Sequence, residues 1–87
     1  GLSLGMRLLL YMISGLRIGS MDVTLPNGST RRLEGTEPGP HGVWHIKSNK
    51  VINHLLASGE VGIGDAYLED LWESPDLTRL LHVMHLN

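Results

Sequence analysis

The chain has no cysteine and no phenylalanine, and only two tryptophans and two tyrosines among its 87 residues. Without cysteine there are no disulfides, no thiolate metal ligands and no cysteine nucleophile, a usage that fits a cytoplasmic protein. Without phenylalanine the core must be built from Leu, Ile, Val, Met and the two tryptophans. Charge of one sign is also lacking: seven basic residues face nine acidic ones, a formal net charge of -2. Nucleic-acid binding ordinarily needs a basic patch or stripe, and Arg31-Arg32 is the sole adjacent basic pair, so no nucleic-acid partner is expected. Long hydrophobic runs are missing too. Leu2 to Ile13 is mostly apolar but contains Arg7 and falls short of the roughly 20 residues that span a bilayer. It also lacks the basic start and small-residue cleavage site of a signal peptide.

What is present suits one small domain. A chain of this length buries only about 60–65% of its unfolded surface, so its stability margin is thin. Eleven glycines narrow it further through the backbone entropy each loses on folding. The sequence opens on Gly1 rather than Met and stops at Asn87 directly after a helical pattern. Residues 1–87 are therefore expected to be a single domain taken from a longer chain.

Residues 3–14 read as a helix, with Leu2, Met6, Leu9, Leu10 and Ile13 in one stripe. Leu4, Leu8, Tyr11 and Met12 fall off that stripe, which leaves the helix apolar on nearly every side. Burial in the core and an interface with a second chain, another domain or lipid both remain open for this face. Gly15 ends the helix. Residues 16–25 read as a strand whose period slips at Gly19-Ser20, where a bulge fits. Pro26-Asn27-Gly28 makes a turn into a polar return strand over Ser29–Leu33. Gly35 to Gly42, with Pro38 and Pro40, reads as a loop. Trp44 and Ile46 then alternate with Val43, His45 and Lys47 as a third strand facing the core.

Ser48 or Asn49 is placed to cap a helix over 50–58 that Gly59 stops. Val61 to Gly64 reads as a tight connection, and Asp65 as the N-cap of a short helix that turns Leu68, Leu71 and Trp72 inwards. Ser74-Pro75 restates the cap signal, with proline at the first helical position. The last helix carries Leu77, Leu80, Leu81 and Met84 on one side. The expected fold is α+β: a small antiparallel sheet, hairpin plus third strand, with helices packed on one face.

Chemistry is sparse at this level. His82 and His85 have a spacing that suits a shared ligand face, but no third ligand is close, and surface or half-buried histidines explain all five. Glu69, Asp70 and Glu73 read as a solvated face, and Glu60 and Asp65 as loop-holding carboxylates. Gly59, Gly62 and Gly64 match neither the dinucleotide nor the P-loop fingerprint. Arg31 and Arg32 can touch an anionic headgroup, although exposed arginines are usually surface. No nucleophile–base set stands out, so no catalytic, cofactor-binding or metal-ligating residue is assigned.

The stretch from Gly59 to Trp72, followed by Ser74-Pro75-Asp76-Leu77-Thr78-Arg79-Leu80-Leu81, resembles the N-terminal region of the cyclopropane-fatty-acyl-phospholipid synthase family. Met21-Asp22-Val23-Thr24-Leu25-Pro26-Asn27-Gly28 is similar to that family's first hairpin, and the resemblance spans about residues 15–87. It implies a sterol-carrier-like accessory domain. The parent enzyme would transfer a methylene or methyl unit from S-adenosylmethionine to the double bond of a membrane phospholipid acyl chain. Catalysis and cofactor would belong to a Rossmann-like domain downstream, and no catalytic residue carries over. The implied partners are that catalytic domain and membrane phospholipid, in the cytoplasm at the inner membrane surface. The position before Ala66-Tyr67 is often Glu in the family and is Asp65 here, which shortens any interdomain reach. Tyr67 suits a boundary that is apolar on one side and wet on the other. The other reading is a structural module that dimerises through the Leu2–Ile13 helix.

Overall fold

The computed structural model describes residues 2–87. Its elements run α1 (Leu4–Ile13), β1 (Ile18–Thr24), β2 (Thr30–Glu34), β3 (Glu37–Ile46), α2 (Val51–Leu68), β4 (Trp72–Glu73) and α3 (Leu77–Leu86). Ser3 starts α1 by accepting the Met6 amide on its Oγ at 3.1 Å. Met6 and Leu9 of the expected stripe are buried in the core, where α1 packs on α2, and Leu2, Leu10 and Ile13 pack around it.

The hairpin forms as read. Met21 pairs with Leu33 and Thr24 with Thr30 in antiparallel register. The Asn27 side chain holds the turn by accepting from the Ser29 amide at 3.0 Å.

The third strand does not extend the hairpin in the expected antiparallel sense. The sheet order is β2-β1-β3-β4, and β3 runs parallel to β1. Parallel neighbours need a connection of a dozen or more residues, and residues 25–36, which include β2, supply it. After β2 the chain crosses beneath the start of β1 and rises on its other side. At the crossing the Gly35 amide donates to the Gly19 carbonyl at 2.8 Å, and the Glu37 amide to the Arg17 carbonyl at 3.0 Å. A Cβ on Gly35 would stand 2.2 Å from the Arg17 oxygen, so only glycine passes there.

The Pro-Gly segment expected as loop is thus the first part of β3, with Ile18 paired to Glu37 and a register shift before Ser20. Its prolines survive because β4 covers only His45 and Ile46 of β3, which leaves the outer edge of the proline segment unpaired.

Inward residues Met21, Val23, Trp44 and Ile46 form the sheet's contribution to the core. Trp44 meets Trp72 edge-to-face, with centroids 5.9 Å apart and planes at 90°. Tyr67 leans on the other side of Trp72 at 4.8 Å.

The chain around Gly59 also departs from expectation. Gly59 (φ 57, ψ -132) does not stop α2 but kinks it, and residues 60–68 continue as helix. Val61 and Ile63 are therefore helical. Asp65 lies inside this segment rather than capping a new one, and Leu68 is exposed, not inward. The first turn of α2 follows Lys50 with no side-chain cap, and the Ser48 hydroxyl instead accepts from the Lys50 amide. The helix closes in a Schellman turn: Asp70, at φ 61, donates its amide to the Tyr67 carbonyl, and Leu71 to that of Ala66. This turn delivers Trp72 to a two-residue strand beside Ile46, not to a helix end. The N-cap of α3 is Asp76, which accepts from the Arg79 amide at 3.0 Å, so Pro75 precedes the helix.

At the other end, the Asn87 amide group ties α3 to the start of β1. Its Oδ1 accepts from the Arg17 and Ile18 amides at 2.8 and 2.9 Å. Its Nδ2 donates to the carbonyls of Ile18 and Val83 at 2.9 and 2.8 Å. No helix among the described residues is long and apolar enough to cross a membrane.

Two measurements check this architecture. Asn87→Ala is expected to cost about 2 kcal/mol in urea unfolding, since backbone groups at the β1 start lose their partners. Gly35→Ala, which forces a side chain into the crossing, should cost more than about 2 kcal/mol in the same assay. A pH effect follows from Lys47, whose ammonium is held above the usual 10.5, first by its hydrogen bond to Asp70 and further by Glu73. A raised folded-state pKa stabilises below the unfolded value and loses that contribution as pH climbs through the folded one. The gap in Tm between wild type and Lys47→Gln is therefore expected to close as pH rises beyond 10.5.

Candidate functional site

Two places concentrate side chains beyond the needs of the core. The first is an apolar groove between the second segment of α2 and α3. Ile63, Tyr67, Trp72, Leu77, Leu81 and Met84 are among its lining residues, and its volume is about 340 Å³. Small-molecule sites begin near 300 Å³ and are largely apolar with a few polar groups, which this groove matches at the small end. Its polar members are Glu60 and His85. A second hollow of about 270 Å³ lies between the end of α1, the sheet and α2, bounded by Met12, Leu16, Trp44 and Leu55. Glu60, Ile63 and Met84 border both hollows.

The kink at Gly59 redirects residues 60–68, which meet the β4 edge of the sheet at Trp72. Three contacts hold that segment: Gly62 packed on the His54 carbonyl, Trp72 Nε1 donating to the Ile63 carbonyl at 2.8 Å, and His54 Nε2 lying 2.8 Å from Glu69 Oε2. The other indole is different. Trp44 is 1% exposed, and its Nε1 has no hydrogen-bond partner. An unmet buried N–H costs about 1–3 kcal/mol.

The second place is the sheet face opposite the helices. In register across β2, β1 and β3, it carries Glu34, Ser20 and His41 in one row and Arg32 and Asp22 in the next. Ser20 Oγ lies 2.7 Å from His41 Nδ1, and His41 Nε2 lies 3.1 Å from Asp22 Oδ2. Arg32 reaches Asp22 at 3.4 Å and Glu34 at 2.9 Å. The bond to Glu34, followed by the Asp22 charge, raises the guanidinium pKa further. Sequence reading missed this hydroxyl–imidazole–carboxylate row, because His41 lies 21 and 19 residues from Ser20 and Asp22 and meets them only through the parallel pairing. The signal that could have found it is the alternation of Ser20 and Asp22 on one strand face.

β1 is paired on both edges, so its amides are engaged in the ladder rather than available as oxyanion donors. The row cross-links the strands.

The sequence-predicted residues do not converge. Leu4, Leu8, Tyr11 and Met12 share the outer face of α1, with Leu4 82% and Tyr11 78% exposed. Met12 also borders the second hollow, and Tyr67 the first. Arg31 and Arg32 lie on β2, at the sheet edge opposite β4 and the groove. Arg32 is already matched by two carboxylates, which leaves Arg31 as the better anion contact of the pair. Asp65 is exposed on α2.

Among the described residues, no group of three or more potential ligands is placed to hold a metal ion. The glycines at 59, 62 and 64 lie within α2, where they kink and pack it. They form no strand-to-helix loop that would fit the S-adenosylmethionine implied by the resemblance.

Asp22→Ala removes the anchor shared by His41 and Arg32. It is expected to lower stability by about 1 kcal/mol, with the loss shrinking at high salt, as urea unfolding at two ionic strengths would show. No family model matches this chain, and no curated protein and no solved structure matches it either.

Proposed function

We propose that this chain is a non-catalytic accessory domain of an S-adenosylmethionine-dependent enzyme that modifies unsaturated phospholipid acyl chains. In this reading it engages lipid at the cytoplasmic membrane surface and positions a downstream catalytic domain. The observation that carries the proposal is the bare apolar face of α1, with Leu4, Leu8, Tyr11 and Met12 all exposed. A contiguous exposed apolar surface on a small domain marks an interaction site. Tyr11 adds the amphipathic ring that favours a boundary between apolar and wet phases.

The order of motifs from Gly59 to Leu81 supports the enzyme class through its resemblance to the cyclopropane synthases. A mixed sheet with helices packed against it is compatible with the sterol-carrier-like shape that the resemblance implies. S-adenosylmethionine and the reacting groups belong, in this proposal, to the catalytic domain.

The same face also suits a second copy of the chain, and one pair of substitutions separates the readings. Wild type should co-sediment with phospholipid vesicles, and Leu8→Glu with Met12→Glu should weaken partitioning about tenfold or more. If wild type stays in the supernatant with every vesicle, and light scattering shows a dimer that these substitutions dissociate, the face is a dimer seam and lipid engagement is wrong.

A further inference from the structure

β2 closes one side of the sheet, and no strand among the described residues pairs with its outer edge. Hydrogen bonds at the two ends of the hairpin fix which of its backbone groups look outward. The Leu25 amide donates to the Ser29 carbonyl and the Gly35 amide to the Gly19 carbonyl, both at 2.8 Å. Bonded and unbonded positions alternate along an antiparallel pair, so Arg31 and Leu33 also bond to β1. Thr30, Arg32 and Glu34 therefore turn their N–H and C=O groups to the open edge. The other unpaired edge, β3 ahead of His45, includes Pro38 and Pro40, neither of which has an amide to offer.

Edge strands often carry charge that discourages pairing, and Arg31, Arg32 and Glu34 are such charges. Here they select a register rather than forbid one. When β2 pairs antiparallel with the β2 of a second copy about a twofold axis, the residue on the axis faces itself. With Arg31, Arg32 or Glu34 on the axis, like charges meet. With Thr30 there, the pairing runs into the hairpin turn. Only Leu33 on the axis sets Arg32 directly opposite the partner's Glu34, and Glu34 opposite the partner's Arg32.

The same register serves the backbone and the apolar side chain. The Arg32 amide meets the partner's Glu34 carbonyl and the Glu34 amide the partner's Arg32 carbonyl, which the axis repeats. The two half-buried Leu33 side chains meet at an unbonded position, where opposed residues come closest. Arg31 faces the partner's Gly35, which has no side chain. Arg32 already reaches Asp22 at 3.4 Å, so its guanidinium would lie between that carboxylate and the partner's Glu34.

We propose that this chain forms a homodimer by joining β2 to β2 about an axis at Leu33, making one continuous sheet. The axis stands perpendicular to the sheet and so puts both helical layers on the same side. The inference goes beyond the lipid reading and does not depend on it.

Sedimentation equilibrium of the whole chain tests it. The contact is small, and the dimer is expected to appear at about 0.1 mM and above. Arg32→Glu and Glu34→Arg each oppose like charges at both pairs and should weaken association about tenfold or more. Mixed one to one, the two variants again oppose unlike charges at every pair. The mixture should associate about tenfold more tightly than either variant alone, a rescue that misfolded chains could not give. In hydrogen exchange on wild type, the Arg32 and Glu34 amides should slow as concentration rises, while those of Arg31 and Leu33, already bonded to β1, should not.

A wild type that stays monomeric at about 1 mM would overturn the inference. So would a dimer that both charge variants leave intact, variants that fail to associate when mixed, or Arg32 and Glu34 amides that ignore concentration. A dimer dissociated by Leu8→Glu with Met12→Glu but not by Arg32→Glu would place the seam on α1 instead. Vesicle co-sedimentation reads the lipid proposal separately: a β2 dimer that stays in the supernatant refutes lipid engagement and leaves this inference standing.

Discussion

β1 is held between the two strands that follow it in sequence, and the rest of the molecule depends on that insertion. β2 and β3 are joined by only two residues, Gly35 and Thr36, yet they lie on opposite sides of β1. The link must pass beneath the Arg17–Gly19 backbone at hydrogen-bonding distance, and glycine is what lets it. Once the crossing is made, β1 is fully paired, and Met21 and Val23 are fixed towards the helices. The far end of β3 is where β4 adds. Asn87 closes the same corner from the other terminus by bonding to the strand start that the crossing wraps.

From β3 the order passes into the helical layer through α3, packed on β3 and β1, and through one aromatic contact at the β4 edge. Trp44 stands on the sheet and Trp72 on the added edge strand, and their perpendicular packing sets the distance between that edge and the core. Trp72 in turn fastens the second segment of α2 through Ile63. The groove is therefore defined by a chain of constraints running from strand register to an indole hydrogen bond. None of these links is an interaction with a ligand.

The parts of this fold that were legible in the sequence were those set by local periodicity. The α1 stripe, the Asn27-Gly28 hairpin and the alternation that buries Trp44 and Ile46 all follow from spacing alone. The parts that were not legible are those where a non-local contact overrode a local signal. Pro38-Gly39-Pro40 looks like a loop, but it is a strand because β1 pairs with it along one edge and nothing needs its missing amides on the other. Gly59 looks like a helix stop because nothing in the neighbouring residues shows that 60–68 will resume the helix against His54. For the candidate site, the apolar outer residues of α1 were visible. The Ser20–His41–Asp22 row was not, because it requires the parallel register. The role of Trp44 as a buried donor without a partner cannot be read from any spacing.

Gly59 and Gly35 are both positions where a side chain is excluded, but for opposite reasons, and this bears on how the sequence can drift. At Gly35 the obstacle is volume: backbone atoms stand where a Cβ would go. At Gly59 there is open space around the missing Cβ, and the obstacle is the torsion pair itself, which L-residues scarcely populate. A compensating change elsewhere can widen a crowded gap, but no neighbour can make a forbidden torsion comfortable. Gly35 is thus negotiable over evolutionary time in a way that Gly59 is not. Among related chains, the bend that shapes the groove should be the more stubborn of the two glycines, even though it touches nothing.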